Sequence, residues 1–404
     1  MTPTRRALVT TLALTAALTT APTTAHAAGT PQHPWYFDTY RIQDIWEHTT
    51  GEGITVAVID SGVDPTLPEL QGQVLDGTDV RTDPEGADAD SSGHGSDMAA
   101  LIAGTGAGGG IRGLAPGVQI LPIRTSSSAI DFDNSARIAE SIDYAVSQGA
   151  QILNISLGNV ESGPGRAALV ESVTEAVRQG VLIFAGTGND GAGLNGAAVP
   201  AALDGVVGVS AVDSSGERSS YSTHGPQVAL AAPGDDVPGH CGDISGPACI
   251  QDEGGTSSAT ALASASAALI WAQHPDWTKN QVLRVMLNTA ERSDDQRRDD
   301  YTGYGIVRPD RVILDGEGDP GDPDSPPIFR DWEAELDPPA TPEPTPETTP
   351  APDTEPAPGP EAEPAATSDD ASPLPWVLGA GAAVLVAGSV GWLLWRRRSG
   401  VVRG

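Results

Sequence analysis

Six short runs constrain the architecture more than any other feature of the chain. GITVAVID (53–60), VQILPIR (118–124), QILNISL (151–157), VLIFAG (181–186), VVGVSAV (206–212) and QVALAAP (227–233) are almost continuously apolar or β-branched. A strand with one wet face alternates apolar and polar side chains, whereas a strand apolar on both faces must be covered on both. Between these runs, the stretches 94–104, 134–148, 166–179, 258–273 and 278–290 carry helical patterning. Strands alternating with helices predict an α/β fold, a mainly parallel sheet between two helical layers. The region 28–314 is long enough to form one large domain of this kind.

The ends of the chain read differently. Residues 1–27 place Arg5 and Arg6 before an apolar run and end in an Ala25-x-Ala27 arrangement, the pattern of a cleaved signal peptide. The paired arginines leave both general and twin-arginine export open. Segment 315–373 holds about 17 acidic residues against one arginine, and about 16 prolines. That is roughly half of the chain's net charge of −32, in a stretch without a core-forming pattern, so it reads as a disordered linker. Residues 374–395 carry no charge, and about 22 residues at ~1.5 Å each would cross a bilayer core as one helix. Arg396, Arg397 and Arg398 follow, so the positive-inside bias puts the tail 396–404 in the cytoplasm and the large domain outside the cell membrane. A strongly acidic chain does not suit a nucleic-acid partner, whose phosphates need a basic face.

Two cysteines occur, Cys241 and Cys249, in the exported part and eight residues apart. An oxidising compartment makes a disulfide the expected state. A metal site would need more ligands, and only His240 is adjacent, so no metal and no cofactor is expected. The acidic stretch 79–93 has oxygens enough for calcium but not the spacing of a defined calcium loop, and reads as solvated.

In a parallel sheet, functional groups gather beyond the carboxyl ends of the strands. Asp60 ends the first run and is followed by Ser61-Gly62. His94 sits between glycines at the start of a small-residue helix, and Ser257 follows Gly254-Gly255-Thr256 at the start of another. Acid, imidazole and hydroxyl on three tight turns are the parts of nucleophilic acyl transfer. The imidazole removes the serine proton, and the carboxylate fixes its tautomer. An oxyanion would be met by the Ser257 backbone N–H at a helix N-terminus and by the side-chain amide of Asn189 in FAGTGNDG. Asn154, His224 and His240 lie in settings that assign them no catalytic role.

These residues sit in motifs that resemble subtilisin-type serine peptidases. VIDSGVD resembles the family's aspartate motif, GHGSDMAALIAG its histidine motif and GGTSSAT its serine motif, in the family's order. The resemblance covers about residues 54–314. It implies the subtilisin-like three-layer fold, endopeptidase activity on protein or peptide substrates, and Asp60, His94, Ser257 and Asn189 in the catalytic roles. ILNISLG resembles the segment that pairs with substrate, which gives Ser156, Leu157 and Gly158 a binding role. Ser257 aligns with the nucleophile, and Ser258, about 100° further round the helix, is expected to pack or cap. Ser96 stands where the family usually has threonine, and Ala261 where a proline is common. About 26 residues between the expected cleavage point and the first strand are too few for the folded pro-domain of secreted subtilisins.

The single anchor, the proline-rich stalk, the short N-terminal extension and the cysteine pair together resemble the mycosins, membrane-anchored subtilisin-like peptidases of type VII secretion. That resemblance implies secreted proteins of such a system as substrates and its membrane complex as partner. Two other readings remain open at this level: a non-catalytic scaffold that stabilises a secretion complex, and a stalked adhesin, which would explain the linker but not the motifs.

Overall fold

Alternation along the strands decides how the domain is layered. On the first strand, β1 (Thr55–Asp60), Val56 and Val58 belong to one buried cluster and Ala57 and Ile59 to another. The same split separates Leu182 and Phe184 from Ile183 and Ala185. Successive side chains point to opposite faces, so a strand apolar throughout has a core on each side. In the computed structural model the described residues are 33–126, 135–158, 165–292 apart from 243, 245 and 247, and 297–336.

The sheet has seven strands: β1, β2 (Thr78–Asp79), β3 (Gln119–Arg124), β4 (Ile152–Ile155), β5 (Leu182–Gly186), β6 (Val206–Val212) and β7 (Val228–Pro233). All pairings are parallel, in the order β2-β3-β1-β4-β5-β6-β7. The order reverses around β1, so Asp60 ends the strand at the switch point where such sheets open a crevice.

Ahead of the sheet lie two short helices, α1 (Trp35–Thr39) and α2 (Ile42–Ile45), whose Tyr36, Ile42 and Ile45 are fully buried, as is Tyr40 in the turn between them. Helix α3 (His94–Ala103) packs on one face of the sheet, and α4 (Ser135–Ser147) and α5 (Arg166–Arg178) cover the other. Helix α6 (Gly255–Gln273), on the α3 side, is buried all round from Ala259 to Trp271. Its alanine and serine content lets it lie against β4–β7 with apolar contacts on every side. Helix α7 (Lys279–Thr289) opens with a Thr278–Gln281 capping box, and α8 (Pro309–Ile313) starts on a proline.

The expected strands and helices recur within a few residues of their predicted ends, and the expected mainly parallel α/β architecture is present. Beyond the short elements α1, α2, β2 and α8, two larger features were not foreseen. Strands β8 (Asp235–His240) and β9 (Ala248–Glu253) form a separate antiparallel hairpin, closed by the Cys241–Cys249 disulfide. The second is a correction: the folded domain does not stop at Leu314. Residues 315–336, expected as the start of the linker, pack on the domain and include α9 (Arg330–Leu336). Arg284 Nε donates to the Pro320 carbonyl at 2.9 Å, Lys279 pairs with Glu333 at 3.1 Å, and Trp332 joins the α4–α5 core. Acidic, proline-rich composition hid one aromatic anchor and a set of carbonyl acceptors. The expected signal peptide, the linker beyond 336, the expected span 374–395 and the tail lie outside the described residues. Among the described residues no helix is long and apolar enough to cross a membrane.

Candidate active site

Asp60 is carried to the end of β1 with no exposure at all. Its Oδ1 accepts from the Ser61 N–H at 2.7 Å and from His94 Nδ1 at 2.7 Å. Helix α3 can bring His94 this close because its second residue is Gly95. A Cβ there would lie 2.1 Å from the Gly62 carbonyl and 3.1 Å from the Asp60 Cβ. Asp90 holds the start of the helix: its Oδ1 accepts from the Gly93 N–H at 2.9 Å and its Oδ2 from the Ser96 N–H at 2.9 Å and hydroxyl at 2.7 Å.

Burial by itself lowers the His94 pKa. The charge and hydrogen bond of Asp60, with Asp97 and Asp90 behind them, outweigh that and raise it to about 9. With Nδ1 committed to a carboxylate, the neutral ring carries its proton on Nδ1 and leaves Nε2 as the acceptor.

Ser257 lies in the first turn of α6, where backbone N–H groups lack helical acceptors. Its hydroxyl donates a long bond of 3.4 Å to the Ser156 carbonyl, and it shares with His94 a cleft of about 680 Å³. No Ser257–His94 hydrogen bond is formed among the described residues; such contacts commonly tighten only once substrate is bound. Ser258 is turned away: buried, its hydroxyl donates back to the Gly254 carbonyl at 2.9 Å.

Asn189 follows the end of β5 and lines the same cleft. Its Oδ1 accepts from the Thr256 N–H at 2.9 Å and the Thr256 hydroxyl at 3.0 Å. The acceptor side of the amide is therefore fixed, and Nδ2 remains as the donor. Gly255 adopts φ +82°, and a Cβ on it would stand 3.0 Å from that Nδ2. A residue other than glycine would be strained there and would crowd the donor.

Ser156, Leu157 and Gly158 run on from β4 and line the cleft, outside the strand that was expected to reach Leu157. Asn154 stays in the strand, bonded to Ser156 and Ser264. In the acidic stretch, Asp79 is engaged by Arg81 and by the Glu85 N–H, and Asp90 by α3. Sequence reasoning missed Thr256, which anchors Asn189, and His240, which lies buried between Asp97 and Glu69. Thr256 stands in the quoted serine motif and was legible there; nothing local marks the partners of His240.

A parallel sheet with an Asp–His pair at its switch point, and a serine-bearing helix start on the same cleft, defines a subtilisin-like α/β class. The chain belongs to the subtilase family, peptidase S8, which it matches over residues 51–305. It is 34% identical over 262 residues to subtilisin E of Bacillus subtilis, covering 64% of this chain and 65% of that protein. It is 32% identical over 243 residues to a thermostable alkaline protease of Halalkalibacterium halodurans, covering 59% and 63%. The chain thus spans just under two thirds of these relatives.

Among solved structures it is similar to mycosins. MycP1 with its N-terminal propeptide removed shares 29% identity at a TM-score of 0.61, covering 70% of this chain and 97% of that one. MycP1 from Mycobacterium smegmatis shares 26% at 0.62, covering 74% and 89%. The MycP3 protease from the type VII (ESX-3) secretion system shares 28% at 0.60, covering 72% and 90%.

Proposed function

We propose that this chain is a serine endopeptidase, anchored in the cell membrane by residues 374–395 with its catalytic domain outside, that processes secreted proteins of a type VII secretion system. The observation that carries the catalytic part is the 2.7 Å contact of His94 Nδ1 with the buried Asp60, which turns the imidazole Nε2 toward the cleft shared with Ser257 and Asn189. His94 Nε2 takes the Ser257 proton as Oγ attacks the scissile carbonyl. Asp60 holds the Nδ1–H and stabilises the imidazolium so formed. The oxyanion is met by Asn189 Nδ2 and the Ser257 N–H. His94 then protonates the leaving amine, and water, activated by the same imidazole, releases the acyl group.

The likeness to mycosin structures supports the secretion context, and the charge-free run 374–395 followed by three arginines supports the anchor. Fluorophosphonate labelling of the full-length chain tests the catalytic reading without knowledge of the substrate. The expected result is an adduct on Ser257 that disappears in His94→Ala. A folded chain that takes no adduct would favour a scaffold role. Fractionation of cells, with protease added outside, tests the anchor: the domain should be membrane-bound and digestible from the exterior.

A further inference from the structure

His240 closes β8 and is followed at once by Cys241, whose disulfide shuts the hairpin. Its side chain is 5% exposed, and each ring nitrogen meets a carboxylate. Nδ1 lies 2.5 Å from Asp97 Oδ1, and Nε2 lies 2.9 Å from Glu69 Oε1. Asp97 Oδ1 also accepts the His240 N–H at 3.2 Å, and Glu69 Oε1 the Ile111 N–H at 3.3 Å. Among the described residues, Asp97 on α3 and Glu69 on the turn Pro68–Leu70 are the titratable groups facing the ring. An ionised carboxylate only accepts, so a neutral imidazole would set a nitrogen lone pair against an oxygen lone pair at one contact. Only the imidazolium has a donor for both. Burial lowers the pKa of this ring, and the two carboxylates more than offset that, raising it to about 9.

The place of this cluster in the chain gives it a consequence. Asp97 is three residues beyond His94 on α3, within the same turn. His240 is paired across the hairpin with Ala248, the first residue of β9; that strand ends at Glu253 and leads through Gly254 into the turn carrying Ser257. At its near end the hairpin is fixed by the Gly254 N–H donating to the Gly234 carbonyl at 2.8 Å. We propose that His240 is a positioning residue: held as an imidazolium between Asp97 and Glu69, it pins the disulfide-closed hairpin to the helix of His94 and so sets the spacing between His94 and Ser257. This rests on the catalytic reading above.

The test compares the full-length wild type, His240→Gln and Glu69→Gln in their rate of fluorophosphonate acylation near neutral pH, with nitrogen NMR of the histidine rings and thermal unfolding alongside. His240→Gln should acylate about ten-fold more slowly, the scale of a sub-ångström misplacement of reacting groups. Glu69→Gln should stay within about three-fold, because its amide can donate to a neutral Nε2 and keep the pin. In the wild type both ring nitrogens of His240 should be protonated near neutral pH; in Glu69→Gln only one should be. A His240→Gln chain that folds and labels within two-fold of wild type overturns the positioning role alone. A wild-type His240 with a single ring N–H overturns it too, even where His240→Gln fails to fold. A wild type that takes no adduct on Ser257 overturns the catalytic reading, and the positioning role with it.

Discussion

Helix α3 touches two imidazole–carboxylate clusters, one turn apart, and they differ in what the second ring nitrogen meets. His94 gives Nδ1 to Asp60 and turns its other nitrogen to the cleft. His240 gives one nitrogen to Asp97 and the other to Glu69. Both pKa values rise to about 9 for the same reason, a nearby carboxylate outweighing burial. A raised pKa and a carboxylate partner therefore do not mark a general base. The mark is a ring nitrogen with nothing else to bind, and the second carboxylate removes it at His240.

That contrast breaks first at the reacting groups. Ser257→Ala and His94→Ala should each lower turnover by about 10⁶-fold, near the background left by binding and the oxyanion donors. Ser258→Ala should remain within a few-fold, because its hydroxyl serves only the Gly254 carbonyl; equal losses at the two serines in a peptide-cleavage assay would remove Ser257 from its role. Asp60→Asn should cost about 10⁴-fold, since the amide selects the wrong imidazole tautomer. Asn189→Ala should cost about 10²–10³-fold in kcat with little change in KM, as expected for a donor used mainly in the transition state.

A smaller effect sharpens the contrast in pH. His94 must be neutral to accept a proton, so kcat/KM should climb as pH rises through about 9, and the residual activity of Asp60→Asn should show that limb displaced toward the ordinary histidine value of 6.5. The smallest effect is on stability. His240 has a folded pKa near 9 against 6.5 unfolded, so its contribution is complete below 6.5 and is lost as pH rises through 9. Glu69, whose folded pKa lies below 4.5, loses its share as the medium becomes acid. The melting-point difference between wild type and His240→Gln should accordingly be widest between those limits and close above pH 9.

Most of the sheet was legible because its strands are apolar on both faces, a signal that needs no partner to be read. The β8–β9 hairpin was not: DDVPGH and ACIQDE mix charge, proline and half-buried positions, so neither shows a clean period. The helices at 35–45 are too short for a helical repeat, and 315–336 was misread because composition outvoted Trp332. At the candidate site, Asp60, His94, Asn189 and Ser257 could be singled out in the sequence because each sits at a strand end, a glycine-flanked turn or a helix start. The His240 cluster could not, because its members come from three segments remote in sequence, and of them only Asp97 lies at a glycine-flanked helix start.

The Asn189–Thr256 anchor divides the site mechanically. Thr256 precedes Ser257, so the group that fixes the Asn189 amide travels with the turn that carries Ser257. On the catalytic reading proposed above, nucleophile and oxyanion donor are tied to each other through Thr256, and base and orienting acid through the Asp60–His94 bond. A shift of α6 would carry both groups that face the carbonyl together, so it would change the proton's path from Ser257 to His94 before it changed the geometry of attack.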